Sequence, residues 1–165
     1  MQNKINQITE TIYLGNVEAA YDIKLLKKLG IKKILTVMSG FDGQYPKKEF
    51  IHKEIDILDD YESNIIRYFK ECVLFIDGYD KVFVHCAAGM SRSPTIVIAY
   101  LMWKKKLLLS EAIDFVKNKR PEISPNLNFM KQLDLFQDLL MKKDYDINKI
   151  NFNKIKINDG KCAIF

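Results

Sequence analysis

A chain of 165 residues and 19.3 kDa suits one domain, and about 68–70% of the unfolded surface can be buried at that length without disulfide staples. Hydrophobic residues make up 48% and charged residues 28%, which excludes a disordered tail protein and a collagen-like repeat. The net charge of +5 raises nucleic acid as a partner. The lysines, however, are scattered in pairs and triplets among acidic residues, with no aromatic–basic ladder. Solvated helix faces explain them better, and no nucleic-acid partner is expected.

The longest apolar run, Ile96 to Trp103, is far too short to span a bilayer. The Met-Gln-Asn-Lys start carries neither a signal-peptide core nor a myristoylation glycine. Three widely spaced cysteines, an odd count, favour a reducing compartment, so a cytoplasmic protein is expected.

In chain order, Ile8 and the Ile12-Tyr13-Leu14 run closed by Gly15 predict a short strand pair. Ala20, Ile23, Leu26 and Leu29 predict one helix over 19–29, with Gly30 as its left-handed stop. Ile34 to Met38 reads as a buried strand. Ile51, Ile55 and Ile57 share one face of the next under period two. From Ser63 as N-cap, Ile65, Ile66, Phe69, Cys72, Val73 and Ile76 trace a helix stripe ending before Gly78. Val82 to Val84 is a third buried strand. Helices then follow Pro94, Ser110 and Ser124-Pro125, the last with proline at its first helical position. Strands alternating with helices imply an α/β fold whose central, mostly parallel sheet is flanked by helices, with functional loops at the strands' carboxyl ends.

One such loop reads His85-Cys86-Ala87-Ala88-Gly89-Met90-Ser91-Arg92-Ser93 and leads into the Pro94 helix. A cysteine facing a helix N-terminus lies in a field that favours its thiolate. The backbone N–H groups of Ala87, Ala88, Gly89, Met90, Ser91 and Arg92 can wrap a concave centre that binds a tetrahedral anion. Gly89 permits the turn, and the Arg92 guanidinium can hold two phosphate oxygens at once. Nucleophile, anion cradle and charge clamp converge on one point, as in-line attack on phosphorus requires. The alternatives are Cys86 as a buried small hydrophobe and Arg92 as a surface ion-pair partner, both disfavoured by the other parts of the loop, and Ser93 as a helix N-cap, which is compatible with a second role. His85 has no second ligand at metal-binding spacing, so no metal and no cofactor are expected.

The Cys-x5-Arg spacing, preceded by His and followed by Ser, resembles the signature of cysteine-dependent protein phosphatases, and of their small dual-specificity members in particular. Ile12-Tyr13-Leu14-Gly15-Asn16, Gly30-Ile31 through Val37, and Arg120-Pro121, Pro125-Asn126, Phe129 and Gln132-Leu133 match further family segments in order. The resemblance extends from about residue 8 to 140. It implies the cysteine-phosphatase fold and hydrolysis of phosphotyrosine and phosphoserine or phosphothreonine through a cysteinyl-phosphate. Cys86 would be the nucleophile, oriented by His85. Arg92 would clamp the phosphate, and Ser93 would stabilise the departing sulfur. Aligning Phe69, Phe75, Ile76 and Asp77 puts the general acid on Asp59, with adjacent Asp60 as the alternative and Asp56 where relatives often hold proline. Asn126 would brace the loop through backbone hydrogen bonds. Phosphorylated proteins are the partners implied. A non-protein substrate (a phosphoinositide, phosphoglycan or RNA end) and a phosphate-binding pseudophosphatase are the competing readings. Inactive relatives lose the cysteine or the arginine, and this chain has both.

The family domain is thus expected over residues 1–143. Residues 144–165 are expected to form a flexible tail, rich in lysine (Lys149, Lys154, Lys156, Lys161) and without a helix stripe. The terminal Cys162-Ala163-Ile164-Phe165 fits a prenylation motif, with Phe favouring geranylgeranyl. A prenyl group on Cys162 beside lysines would supply the two signals that attachment to the cytosolic face of a membrane needs.

Overall fold

Alternating side chains along three short strands build the centre of the molecule. The computed structural model describes residues 3–156 in full and the backbone of 157, 158 and 161–164. Strands β1 (Ile5–Gln7), β2 (Ile12–Gly15), β3 (Lys33–Val37), β4 (Ile51–Ile55) and β5 (Val82–His85) form one sheet in the order β1-β2-β5-β3-β4. Only β1 runs antiparallel. Ile12, Leu14, Leu35, Val37, Val82 and Val84 point into the larger core, while Tyr13, Ile34 and Phe83 point into the smaller one. Period two thus separates two buried faces. The expected mostly parallel sheet is present.

The smaller face is covered by α1 (Val17–Tyr21) and α2 (Ile23–Leu29). These replace the single helix expected over 19–29. Asp22 ends the first, and its carboxylate accepts from Leu25 N to cap the second. Gly30 closes α2 at φ 75° as expected. The larger face carries α3 (Phe69–Ile76), α4 (Arg92–Lys105), α5 (Leu109–Lys119) and α6 (Leu127–Lys142).

Three helix starts differ from the sequence reading. The stripe from Ile65 is buried as expected, but it begins as a 3-10 turn over Ile65–Tyr68 with Asn64, not Ser63, at its head. Helix α5 starts at Leu109, where Glu111 reaches back to Leu108 N. Helix α6 starts after Asn126, whose Oδ1 accepts from Phe129 N, so Pro125 lies outside it. Ile51, expected to be buried with Ile55, opens edge strand β4 and is 57% exposed.

The expected boundary at residue 143 does not hold as a structural limit. Ile147, Ile150, Phe152 and Ile155 are buried in the larger core. They are presented by 3-10 turns at Ile147–Lys149 and Phe152–Lys154, then by β6 (Ile155–Asn158), which pairs antiparallel with β7 (Lys161–Ile164). The Phe152 ring lies 6.2 Å from that of Phe136 on α6, and Asn64 Nδ2 donates to the Ile155 carbonyl. Four apolar side chains released from water outweigh the entropy of a loose tail here. The Cys162 side chain and Phe165 lie outside the described residues, and the prenylation expectation with them. Phe152→Ala should lower unfolding stability by about 3 kcal/mol, the usual cost of emptying a buried phenylalanine site. Urea titration of the full chain checks it, and an unchanged midpoint would return the segment to a loose tail.

Candidate active site

The loop between β5 and α4 is held in place from outside. The Ala87 carbonyl accepts from Val17 N at 3.0 Å, and the Met90 carbonyl from Ser124 N at 2.7 Å. The Ser91 carbonyl accepts from both Thr95 N and Thr95 Oγ1. Between them, the Gly89 carbonyl takes Arg120 Nε at 2.9 Å and the Ala88 carbonyl takes Arg120 Nη2 at 3.3 Å. Because C=O and N–H of one peptide point in opposite directions, five outward carbonyls turn the N–H groups of residues 88–92 inward. Such a nest of N–H groups can cradle an anion; it spans residues 88–92, one fewer than the six from Ala87 expected.

Gly89 is required at its position. It adopts φ +68°, and a Cβ there would stand 2.5 Å from the Gly15 carbonyl oxygen and 2.8 Å from Arg120 Nη2. Gly15 itself lies against the Lys4 carbonyl, so β1, β2 and the loop pack backbone to backbone.

At the base of the nest lies Cys86, 2% exposed. Its Sγ accepts from Gly89 N and from Ser93 Oγ, both at 3.2 Å. Ser93 is therefore within the first turn of α4 rather than its N-cap. The Arg92 side chain donates through Nη1 to the Ile57 carbonyl at 3.1 Å. Its Nε is buried with no hydrogen-bond partner among the described residues, the kind of donor that an arriving oxygen satisfies.

The two aspartates separate. Asp59 reaches over the loop: its Oδ1 accepts from Ser91 Oγ at 2.8 Å and from Asn126 Nδ2 at 2.7 Å, and its Oδ2 is 4.0 Å from Arg92 Nε. Asp60 turns away, and its Oδ1 accepts from Glu62 N and Ser63 N. Those turn contacts, with the Ser63 side chain first among them, hold the Asp60 carboxyl below the usual carboxylate range. Asn126 was expected to brace the phosphate loop through the backbone. Its backbone N–H donates to Ser91 Oγ at 3.1 Å, and its side chain also binds Asp59 and the Asp60 carbonyl.

His85 lies fully buried behind the cysteine, with Nε2 at 2.7 Å from Thr36 Oγ1. Burial pushes its pKa down to about 3, against an upward pull from the Cys86 main chain. Three positioning residues escape the sequence reading. Arg120 figures there only as a motif match, yet it is fully buried and also binds the Asn3 carbonyl and Asn6 Oδ1. Thr36 shows only as a polar residue in an apolar strand, and Asn6 shows no signal at all.

Sheet and site together define the class: an α/β domain that sets a cysteine in an anion cradle at the carboxyl end of a parallel strand. Residues 12–139 match the family model described as dual specificity phosphatase, catalytic domain. The chain is 43% identical over 136 residues to Dual specificity protein phosphatase 1 of Arabidopsis thaliana, covering 80% of this chain and 67% of the relative. It is 43% identical over 132 residues to human Dual specificity protein phosphatase 9, covering 77% of this chain but only 34% of that longer protein. Among solved structures, the human tyrosine phosphatase-like serine/threonine/tyrosine-interacting protein superposes with a TM-score of 0.78 at 31% identity, covering 83% of this chain and 97% of that one. The chain belongs to the dual specificity phosphatase family.

Between pH 6.5 and about 3 the unfolded His85 binds a proton that the folded one refuses, so its contribution to stability falls as pH falls through that window. The slope should approach 1.4 kcal/mol, roughly, per pH unit at its steepest. Urea midpoints measured from pH 7 to pH 4 should show it, and His85→Asn should flatten the profile. An equal slope in the variant would assign the acid sensitivity to other groups.

Proposed function

We propose that this domain hydrolyses phosphate esters of tyrosine and of serine or threonine on proteins through a cysteinyl-phosphate. The observation that carries the reading is the convergence on Cys86 Sγ of the Gly89 N–H and the Ser93 hydroxyl, inside a loop whose Arg92 Nε has no hydrogen-bond partner among the described residues.

The Cys86 thiolate attacks phosphorus in line, and the bond from phosphorus to the ester oxygen breaks. The inward N–H groups and Arg92 hold the equatorial oxygens, where charge spreads in the transition state. Asp59 gives a proton to the leaving oxygen. Two donors already occupy its Oδ1, so Oδ2 is the oxygen to carry that proton. Water then attacks the cysteinyl-phosphate, Asp59 takes the water's proton, and inorganic phosphate leaves as the thiolate re-forms. The Ser93 hydroxyl stabilises the departing sulfur.

A binding-only domain is the reading to test against, because one solved neighbour is described as phosphatase-like. Cys86, Arg92 and Ser93 together favour turnover. The loop side chains Ala87, Ala88 and Met90 are small or apolar, which favours phosphoprotein over phosphoinositide, phosphoglycan or RNA ends.

Cys86→Ser should abolish hydrolysis of an aryl phosphate while vanadate still binds; continued turnover would remove Cys86 from the mechanism. Asp59→Asn should slow the reaction by about 10²–10⁴-fold, less for substrates with acidic leaving groups, and Asp60→Asn should do far less. The reverse order would move the acid to Asp60. Phosphopeptides assayed beside phosphoinositides decide the substrate class.

Membrane attachment is a separate proposal, carried by the Cys162-Ala163-Ile164-Phe165 pattern with its nearby lysines. The reading keeps the domain cytoplasmic, tethered to the cytosolic face. Mass spectrometry of protein made in cells should find a geranylgeranyl thioether on Cys162, and an intact unmodified peptide ends the proposal.

A further inference from the structure

Three adjacent strands bring both histidines of the chain, His52 and His85, to one face of the sheet. Thr36 on β3 is in register with His85 on β5, and Ile34 with His52 on β4. The Thr36 hydroxyl lies between the two rings, 2.7 Å from His85 Nε2 and 2.8 Å from His52 Nε2. Thr36 and His85 are fully buried, and the His52 side chain is 19% exposed.

A hydroxyl has one proton, and this one has no third partner among the described residues. It therefore donates to one imidazole and accepts from the other, so the two rings cannot choose their tautomers independently. Neither ring is free to turn over. His85 stacks on Phe83 at 5.3 Å and meets the edge of Phe41 at 5.0 Å. His52 stands edge-on to Tyr45 at 4.7 Å and to Phe41 at 6.0 Å.

Direction follows from the far side of His85. Its Nδ1 is buried with no hydrogen-bond partner among the described residues, yet the Cys86 main chain raises the ring's proton affinity, as an acceptor near a ring N–H does. Nε2 faces Thr36, so that proton belongs on Nδ1. His85 Nε2 is then the acceptor, Thr36 the donor to it, and His52 the donor to Thr36; the Glu54 carboxylate, 3.5 Å from His52 Nδ1, pulls that ring's proton the other way, but it is half exposed and water screens it.

We propose that His52 is a positioning residue for Cys86: its Nε2–H, relayed through the Thr36 hydroxyl, holds the His85 proton on Nδ1 beside the Cys86 main chain. The functional half of this inference rests on the reading of Cys86 as the nucleophile. The proton order itself does not.

Because the chain has only two histidines, ring-¹⁵N labelling gives two imidazole spin systems that are simple to assign. NMR of the full chain should show His85 as the Nδ1-protonated neutral tautomer, with Nε2 as acceptor. Thr36→Val should break that signature and Thr36→Ser should restore it. His52→Phe, which keeps a ring against Tyr45 and Phe41, should lose it too. That variant should lower kcat on an aryl phosphate about five- to tenfold, the worth of one hydrogen bond, with KM changed less than about twofold. A wild-type His85 protonated at Nε2 overturns the proposal, as does an unaltered His85 signature in Thr36→Val. The wild-type spectrum decides even where a variant fails to fold. Wild-type protein with the expected tautomer but no turnover would instead sink the phosphatase reading and leave the proton order standing.

Discussion

The rest of the site depends on which way five carbonyls point. From Ala87 to Ser91 each is fastened to a donor outside the loop, and the five fastenings come from four different places. Val17 N belongs to the start of α1, Ser124 N to the segment before α6, Thr95 to α4 itself, and Arg120 to the end of α5. A row of inward N–H groups repels itself, so such a geometry persists only where the surroundings over-determine it. Burying Arg120 is costly unless its donors are used. Here Nε and both Nη nitrogens find oxygen partners, two of them loop carbonyls. The cost of burying a guanidinium is thereby converted into loop rigidity, and electrostatic catalysis needs donors fixed before charge develops.

A second consequence concerns the acid. Asp59 is held by Ser91 from the loop and by Asn126 from the head of α6, so one hydroxyl and one amide tie acid and cradle together. Asn126 also caps α6 through Oδ1, while Asn128 and Gln132, one turn further along, bind the Ser63 carbonyl. The segment from Asp59 to Ser63 is thus strung along the first turns of a buried helix instead of relying on its own length. The stiffness of the segment comes from hydrogen bonds across the chain.

What the sequence revealed follows the reach of its patterns. The strands were legible because period two sorts Ile12, Leu14, Val82 and Val84 from Tyr13 and Phe83, and the anion loop because all its parts lie within nine consecutive residues. One helix start was misread where a long-range contact outbids a local cap, Gln132 Oε1 taking Ile66 N at 2.9 Å; the starts of α5 and α6 were misread because nearby Glu111 and Asn126 supply the caps in place of Ser110 and Ser124. The segment after Lys143 was misread for another reason. Its buried residues, Ile147, Ile150, Phe152 and Ile155, fall at intervals that fit neither a helix nor a strand, because successive 3-10 turns present them one at a time. Periodicity has no purchase on such a strap.

The same strap bears on the acid segment. The Ile155 carbonyl receives Asn64 Nδ2, and Asn64 heads the 3-10 turn that follows the acid segment. Phe152 meanwhile rests against Phe136, on the helix that Asn126 caps. The elements positioning Asp59 are therefore clamped between α4 and a segment well outside the 12–139 stretch that matches the family. In this protein the edge of the family domain and the edge of the folded unit are different places. The difference falls where the position of the acid is decided, since a carboxylate that must first give and then take a proton tolerates little displacement from its cradle.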